Sequence, residues 1–338
     1  MVAVSSRAIH SLCGSRHKSV INQRGSTDYL WGNMKILVTG GAGYKGVKLV
    51  GRLLELGHEV TLLDNFLYGY EPILHLSHHT SLSVLEFDIR AVGRKTVAGF
   101  DVVYHLAGIS GMPACAANPH SAQLINVNAT RALVDSMDPG QLLVNASTTS
   151  MYGGGGGVCD EQVTVDPVSL YGITKYQAEV IAQGRADSVS LRFATVFGAS
   201  PRMRVDLLVN DFAYRAVNER VLVLFAAHTK RTFVHIDDAI DAYLFVLDHA
   251  DKMRGEVYNV GSESLNFSKL EIAHAIKKFV PVEIVDSSVA DRDVRDFIVS
   301  FAKIRALGFE TSRSLDTGIQ ELLRLYAYYK PHSNYRVI

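Results

Sequence analysis

Two residues that can share a proton stand four positions apart in the segment Tyr-Gly-Ile-Thr-Lys. Tyr171 and Lys175 therefore lie on one face of any helix that contains both. A free phenol loses its proton near pH 10, and an ammonium about 4 Å away stabilises the phenolate by roughly 4 kcal/mol in a partly polar medium. Such a pair is suited to taking the proton from an alcohol while hydride leaves the same carbon.

Spacing alone is weak evidence for this chemistry, because Tyr-x-x-x-Lys also begins at Tyr44 and at Tyr326. Only the pair at Tyr171 follows a strand-like segment that ends in hydroxyl side chains, residues 147–150. A hydroxyl from that segment can hold the substrate oxygen in line with the phenol. We predict that the other two pairs are incidental pairs on helix surfaces.

A glycine-rich turn follows the first strand-like segment of the chain, residues 35–39. Gly40, Gly43 and Gly46 precede a stretch with helical apolar spacing, and Asp64 ends the next strand, 18 residues after Gly46. Glycines let backbone N–H groups approach a pyrophosphate at a helix N-terminus, and a carboxylate accepts the ribose hydroxyls. A phosphate on that ribose would be repelled by Asp64, so the pattern predicts NAD rather than NADP. Tight packing alone would explain the glycines but not the acid.

The elements that must position these residues alternate between short apolar runs and helical stretches. This βαβ series predicts a Rossmann-type, doubly wound parallel sheet with a smaller C-terminal α/β part. We expect residues 34–192 to bind NAD, with later returns to the sheet, and residues 193–338 to be mainly substrate-binding. The candidate strands are residues 35–39, 59–64, 83–87, 101–106, 141–147, 188–197 and 256–260.

Composition excludes several classes of protein. The 338 residues carry 34 Lys+Arg and 34 Asp+Glu, and this balance gives no basic surface for nucleic acid. The three cysteines have no metal-ligand spacing, so we expect a reducing, cytoplasmic environment and no metal site. No apolar run reaches the roughly 18 residues of a membrane span.

Residues 1–33 are basic and lack apolar periodicity, which predicts a disordered or spurious extension, with a targeting segment as the alternative.

The glycine spacing Gly-x-x-Gly-x-x-Gly resembles that of the extended short-chain dehydrogenase/reductase family, the nucleotide-sugar epimerases and dehydratases. The motifs agree from Met34 to about Phe309, including Asp88-Ile89, the segment His-Leu-Ala-Gly at 105–108 and Asn126. One departure is Lys45, which stands where the family has Ile or Leu, and its ammonium is expected to approach the pyrophosphate or to face solvent. The cofactor contacts that the resemblance implies are Gly40, Gly43, Tyr44, Lys45, Gly46, Asp64, Asn65, Asp88, Ile89, Leu106, Ala107, Gly108, Asn126, Ser147, Tyr171, Lys175 and Phe193.

The resemblance also assigns the catalytic set as Thr148, Tyr171 and Lys175, with Ser147 as the fallback for Thr148. Similar 4,6-dehydratases follow the Thr with Asp-Glu, decarboxylases and GDP-mannose dehydratases carry a Glu there, and 3,5-epimerases carry a Cys. Here Thr149 and Ser150 occupy these positions, and neither supplies a second acid. The chemistry left is oxidation at one carbinol, turning of the ketone and return of hydride, which is 4-epimerisation with NAD kept bound.

Three residues are predicted to contact the substrate by the same resemblance. Thr195 replaces an Asn of the family motif, and Arg231 and Arg295 align with arginines suited to a diphosphate; the alternative for each arginine is a surface ion pair. The prediction is a nucleoside-diphosphate-sugar 4-epimerase that is a homodimer by family resemblance. The alternatives are a dehydratase or a 4-ketosugar reductase on the same scaffold and, in another class, a non-catalytic NAD-binding regulatory protein.

Overall fold

The computed structural model describes residues 32–153, 157–287 and 297–331. Most of the predicted N-terminal extension therefore lies outside the described residues. The strands are β1 (Lys35–Thr39), β2 (Glu59–Asp64), β3 (Leu82–Glu86), β4 (Val102–His105), β5 (Leu142–Thr148), β6 (Val158–Cys159), β7 (Ser188–Phe193), β8 (Thr195–Phe197), β9 (Val221–Phe225), β10 (Lys230–His235), β11 (Glu256–Val260), β12 (Asn266–Ser268), β13 (Glu283–Ser287) and β14 (Ile298–Val299).

The helices alternate with these strands along most of the chain. They are α1 (Gly46–Glu55), α2 (Arg94–Val97), α3 (Met112–Ala117), α4 (Pro119–Ala122), α5 (Ala129–Ser136), α6 (Leu170–Gln183), α7 (Leu208–Asn218), α8 (Ile236–Met253), α9 (Lys269–Lys277), α10 (Ala302–Arg305) and α11 (Leu315–Tyr326). Shorter 3-10 segments cover Glu71–Leu76, Ile89–Ala91, Thr149–Tyr152 and Glu263–Leu265, and a π-helical segment, Gln123–Asn128, leads into α5. None of the helices within the described ranges combines the length and the apolar character needed to cross a bilayer.

Seven strands of the described chain form one sheet in the order β11-β7-β5-β4-β1-β2-β3. Every pairing within it is parallel, which confirms the predicted doubly wound sheet. The chain passes from β1 to β2 and β3 on one side and then returns to β4 on the other side. This reversal opens a crevice at the carboxyl ends of β1 and β4, where such sheets bind their ligands.

Strand β1 lies in the interior of the sheet, between β4 and β2, and is buried on both faces. Ile36 and Val38 belong to the apolar cluster that contains the inner residues of α1 and α8. Leu37 belongs to the opposite cluster, with residues of α5. Successive side chains of a strand point to opposite faces, so a continuous run of branched apolar residues is what a strand covered by helices on both sides requires.

The chain beyond β7 builds a second part around its own apolar cluster. The predicted strand 188–197 is broken at Ala194, whose N–H donates to Val260 O (2.9 Å), and the two halves join different sheets. β8 pairs with β10 in the three-stranded sheet β12-β10-β8, while β9 pairs with β13. Residues of α7, α9 and α11 complete the cluster. β11 then returns to the large sheet beside β7, as expected from the sequence.

Candidate active site

The turn between β1 and α1 is so tight that a side chain at Gly40 or Gly46 would collide with neighbouring backbone atoms. Gly40 has φ +69°, and a Cβ there would lie 2.7 Å from Ala107 N. A Cβ on Gly46, the first residue of α1, would lie 2.1 Å from Gly40 O. The turn therefore brings bare backbone to the helix N-terminus, where N–H groups and the helix dipole favour a pyrophosphate.

Asp64 stands at the end of β2, beside this turn. Its carboxylate accepts hydrogen bonds from the backbone N–H groups of Ala42 (3.1 Å) and Phe66 (3.0 Å). Burial raises the pKa of Asp64, and these N–H groups counteract the rise by stabilising the carboxylate. The side chain is thus fixed by the backbone at the position expected for the ribose of an adenine dinucleotide.

A cavity of about 530 Å³ extends from Asp64 across the glycine turn to α6. A bare-backbone turn at a helix N-terminus, with a fixed carboxylate beside it in a cavity that continues to Tyr171 and Lys175, suits NAD. The predicted cofactor residues that line it are Gly40, Gly43, Tyr44, Lys45, Gly46, Asp64, Asn65, Asp88, Ile89, Leu106, Ala107, Gly108, Ser147, Tyr171 and Lys175. Phe66, Tyr68 and Arg202 also line it, and none of them was predicted as a site residue.

Two predicted cofactor residues lie elsewhere. Asn126 is 1% exposed and sits behind the loop after β4. It accepts from Ile109 N (2.8 Å) and donates to Ile109 O (3.0 Å) and Thr174 Oγ1 (3.1 Å), so it shapes the loop instead of lining the cavity. Phe193 lines the neighbouring cavity. The family resemblance placed both residues near the cofactor but could not show which way their side chains point.

Helix α6 carries Tyr171 and Lys175 and begins at a cap formed by Ser169, whose Oγ accepts from Gly172 N (3.1 Å). Both residues line the cofactor cavity. Tyr171 also lines a second cavity of about 610 Å³, together with Thr148 at the end of β5. Thr148 Oγ1 accepts from Ser150 N (3.1 Å), which leaves its hydroxyl proton for a ligand. Tyr171 therefore stands where the two cavities meet, and Thr148 stands on the side of the second.

Lys175 is 9% exposed, and its charge is costly there. Burial lowers the pKa of Lys175 to about 8, and the nearby carboxylate of Glu179 acts against this fall. Glu179 also accepts a hydrogen bond from Ser147 Oγ (2.6 Å). Because the Ser147 hydroxyl is directed to Glu179, Thr148 is the better placed of the two candidate hydroxyls for a substrate oxygen, which supports the choice made from the sequence.

The second cavity is rich in cations. Thr195 and Arg231, both predicted to contact the substrate, line it, whereas Arg295 lies outside the described residues. Its other basic lining residues are Lys45, Arg204, Arg215 and Lys269. Arg204 and Arg215 were not predicted as site residues, although the basic segment Pro-Arg-Met-Arg at 201–204 is a local signal that could have indicated Arg204. The two carboxylates of the lining, Asp206 and Asp211, are ion-paired with Arg204 and Arg215, respectively.

Lys45 does not face bulk solvent, so that interpretation of the sequence is wrong. Its Nζ lies 3.8 Å from the centroid of the Phe193 ring and 5.4 Å from that of Tyr243. The side chain lines both cavities, as Tyr171 does. The wall shared by the two cavities thus contains a cation, Lys45, at a position where the extended short-chain dehydrogenase/reductase family has an aliphatic residue.

A Rossmann-type sheet with a glycine-rich nucleotide turn and a Thr, Tyr and Lys set beside it defines a short-chain dehydrogenase/reductase of the extended type. Residues 36–261 match the model of the NAD dependent epimerase/dehydratase family. The chain belongs to this family of enzymes, and NAD is its cofactor.

Three relatives illustrate the similarity. The uncharacterized UDP-glucose epimerase YtcB of Bacillus subtilis (strain 168) is 31% identical over 251 residues, which is 68% of this chain and 77% of the relative. UDP-glucuronate 4-epimerase 4 of Arabidopsis thaliana is 29% identical over 332 residues, 87% of this chain and 75% of the relative. The crystal structure of UDP-glucuronic acid 4-epimerase from Bacillus cereus, in complex with UDP-glucuronic acid and NAD, superimposes with a TM-score of 0.76 at 25% identity. It covers 87% of this chain and 99% of that one.

Proposed function

We propose that the protein is a nucleoside-diphosphate-sugar 4-epimerase that retains its NAD through the reaction. The observation that carries the proposal is that Tyr171 and Thr148 line the second cavity, while both carboxylates of its described lining, Asp206 and Asp211, are ion-paired. Thr149 Oγ1 donates to Phe193 O (3.3 Å), so this position supplies no second acid. Hydride transfer with one acid–base group is sufficient for epimerisation, whereas elimination of water requires another proton donor or acceptor.

The roles of the chain's own residues follow from their positions. Tyr171 takes the proton of the sugar hydroxyl as its carbon is oxidised and returns it at the end of the cycle. Lys175, one turn further along α6, stabilises the phenolate that this requires. Thr148 donates a hydrogen bond to the same sugar oxygen and fixes its direction. The chemistry that bound NAD supplies is reversible uptake of hydride.

The substrate is a nucleoside diphosphate linked to a hexose or a uronic acid. Arg231, Arg204 and Lys269 line the second cavity, and guanidinium groups match the paired oxygens of a diphosphate. The relatives named above are epimerases of UDP-glucose and UDP-glucuronate. In this assignment residues 34–192 hold NAD, with β11 returning to the same sheet, and residues 193–338 mainly hold the substrate.

The enzyme is assigned as a cytoplasmic homodimer. Its described cysteines, Cys115 and Cys159, are free and buried, in keeping with a reducing compartment.

The dimer is assigned to a face of α6. Ile173 and Val180 are 38% and 55% exposed on this helix, seven residues apart and so on one face of it. Light scattering tests the dimer: Val180→Glu should give monomers, and a wild-type monomer would exclude this assembly. Fractionation of the source cells tests the compartment.

Incubation with single nucleotide sugars tests the reaction. UDP-glucose, UDP-galactose, their N-acetyl forms and UDP-glucuronate are each incubated with the purified holoenzyme, and the products are resolved by chromatography. We expect one pair of C4 epimers to interconvert from either side without added NAD or NADH. Net consumption of added NADH would indicate a ketosugar reductase, and accumulation of a ketosugar would indicate a dehydratase. Absence of any conversion would reject the proposal.

A further inference from the structure

Lys45 is a charged residue of the active-site wall that the mechanism above does not use. It precedes α1 directly, between Gly43 and Gly46 of the nucleotide turn, and its side chain reaches over the Phe193 ring at the end of β7. Because it lines both cavities with Tyr171, it borders the place where hydride must pass between cofactor and sugar.

The charged groups acting on Lys45 from the elements around it are cations. Lys175 approaches from α6 and Arg204 from the loop that follows β8. Tyr243 of α8 and Tyr171 of α6 are the neighbouring titratable hydroxyls. Arg204 is itself paired with Asp206, so its charge is partly balanced, while the ammonium of Lys45 faces an aromatic ring.

The redox step changes the charge of the cofactor by one unit. When the sugar is oxidised, its C–H bond breaks, the electron pair and the hydrogen go to the nicotinamide as hydride, and the hydroxyl proton goes to Tyr171. The nicotinamide loses one positive charge and the sugar becomes a ketone. A nearby cation therefore stabilises the reduced state of the cofactor relative to the oxidised state.

We propose that Lys45 is an electrostatic residue of the hydride-transfer site that shifts the bound cofactor toward its reduced state. The inference deepens the proposed epimerase function and rests on it, because an epimerase must hold reduced cofactor and ketosugar together until hydride returns. Lys45 lowers the free energy of the intermediate complex of reduced cofactor and ketosugar. A typical family member has only an aliphatic side chain at this position.

The contribution is pH-dependent within the working range of the enzyme. Burial, with Lys175 and Arg204 nearby, lowers the pKa of Lys45 to about 7. The ammonium is charged below this pH and neutral above it. The stabilisation of reduced cofactor is therefore present in mildly acidic solution and fades as the pH rises through about 7.

The test measures the reduction potential of the bound cofactor in the holoenzyme without any sugar. The fraction reduced is read from nicotinamide absorbance while the protein equilibrates with a redox dye of known potential. At about pH 6, Lys45→Met should lower the ratio of reduced to oxidised cofactor about tenfold, which is about 30 mV for a two-electron couple. Lys48→Met is the matched control, since Lys48 lies in the first turn of α1, which directly follows Lys45, and pairs with Asp237 (2.5 Å); the potential of this variant should equal that of the wild type.

A second variant tests the proposal even if Lys45→Met does not fold correctly. Lys45→Arg keeps the charge at every working pH, so it should match the wild type at about pH 6 and favour reduced cofactor about tenfold more than the wild type at about pH 8.5. Beside a permanent charge at position 45, Lys175 loses its proton at no higher pH than in the wild type, and the loss of that charge disfavours reduced cofactor, so its titration cannot produce the expected gain. An unchanged potential in Lys45→Met, or identical pH profiles for Lys45→Arg and wild type, would overturn the proposal. Since no sugar is present, a failure to epimerise would leave this result unaffected.

Discussion

Glu179 and Arg192 form a buried two-point ion pair between α6 and β7. Arg192 Nη2 donates to Glu179 Oε1 (2.6 Å) and Nε to Oε2 (3.0 Å), and the two side chains are 6% and 3% exposed. Glu179 lies one helical turn after Lys175 and also accepts from Ser147. The pair therefore ties the helix that carries the catalytic Tyr and Lys to the strands behind it.

Removing the charge of Glu179 should destabilise the fold strongly. Glu179→Gln leaves the guanidinium of Arg192 buried without its counterion, and breaking such a pair costs about 3–5 kcal/mol. The free energy of unfolding from denaturant titration measures the loss. The exposed pair of Arg52 and Glu55 (3.6 Å) provides the control, because Glu55→Gln should cost less than about 1 kcal/mol. Equal losses in the two variants would contradict the role given to the buried pair.

The glycine turn gives a second prediction, on cofactor binding. Gly46→Ala forces a Cβ to within 2.1 Å of Gly40 O, so the turn must shift and NAD affinity should fall at least about tenfold. Gly51→Ala is the matched control on the same helix, where the nearest atom to a new Cβ is Leu76 Cδ2 at 3.5 Å. That substitution should leave NAD affinity unchanged and stabilise the helix by about 0.5–1 kcal/mol. Calorimetric titration with NAD distinguishes the two variants.

The sequence predicted the local features of this site well and the distant contacts poorly. Strand β1 and the turn after it follow from a continuous apolar run and from glycine spacing, which are properties of neighbouring residues. The hydrogen bond from Ser147 to Glu179 joins residues 32 positions apart, and no periodicity indicates it. Ala194 likewise has no sequence signal as a strand break, because the break depends on where β11 returns.

The direction of the Lys45 side chain also depends on distant residues and could not be predicted from the sequence. The position of Lys45 in the glycine motif was evident, yet its direction depends on Phe193 and Tyr243, which come from two other elements. Arg204 was visible as a basic residue, but its place in the wall is set by its pair with Asp206 and by Asn210, whose Nδ2 donates to Arg204 O (2.8 Å). Chemistry-bearing residues can be recognised locally, whereas their surroundings come from tertiary packing.

The third prediction concerns the acid–base group. Tyr171→Phe removes the phenol that exchanges the substrate proton, so turnover should fall by at least about 10²–10⁴-fold, while NAD stays bound because the turn and Asp64 are intact. Tyr326→Phe is the matched control: Tyr326 begins another Tyr-x-x-x-Lys pair and is buried in the apolar cluster of α7, α9 and α11. The prediction that Tyr326 and Tyr44 lie on helix surfaces is wrong, since both side chains are buried. The turnover of Tyr326→Phe should equal that of the wild type. Product formation and released NAD, measured on the same samples, check both expectations, and an active Tyr171→Phe variant would refute the assignment.

The last prediction is the pH dependence that Lys175 imposes. Since burial lowers the pKa of Lys175 to about 8, its charge and its support of the phenolate decline above that pH, and kcat/KM should fall as the pH rises through about 8. The free energy of unfolding should instead rise over the same pH range. The unfolded chain keeps this proton up to the ordinary value of 10.5, so between about 8 and 10.5 it binds more protons than the folded chain.

The free energy of unfolding of the wild type, taken relative to Lys175→Met, should therefore rise by up to about 1.4 kcal/mol per pH unit in that range. Denaturant titrations of the two proteins at a series of pH values, with turnover measured on the same wild-type samples, provide the check. Activity that persists to about pH 10, or a stability difference that does not change with pH, would show that Lys175 keeps its proton in the folded protein. The support that its ammonium gives to Tyr171 would then extend across the whole alkaline range, because a cation that stays charged stabilises the phenolate at every pH.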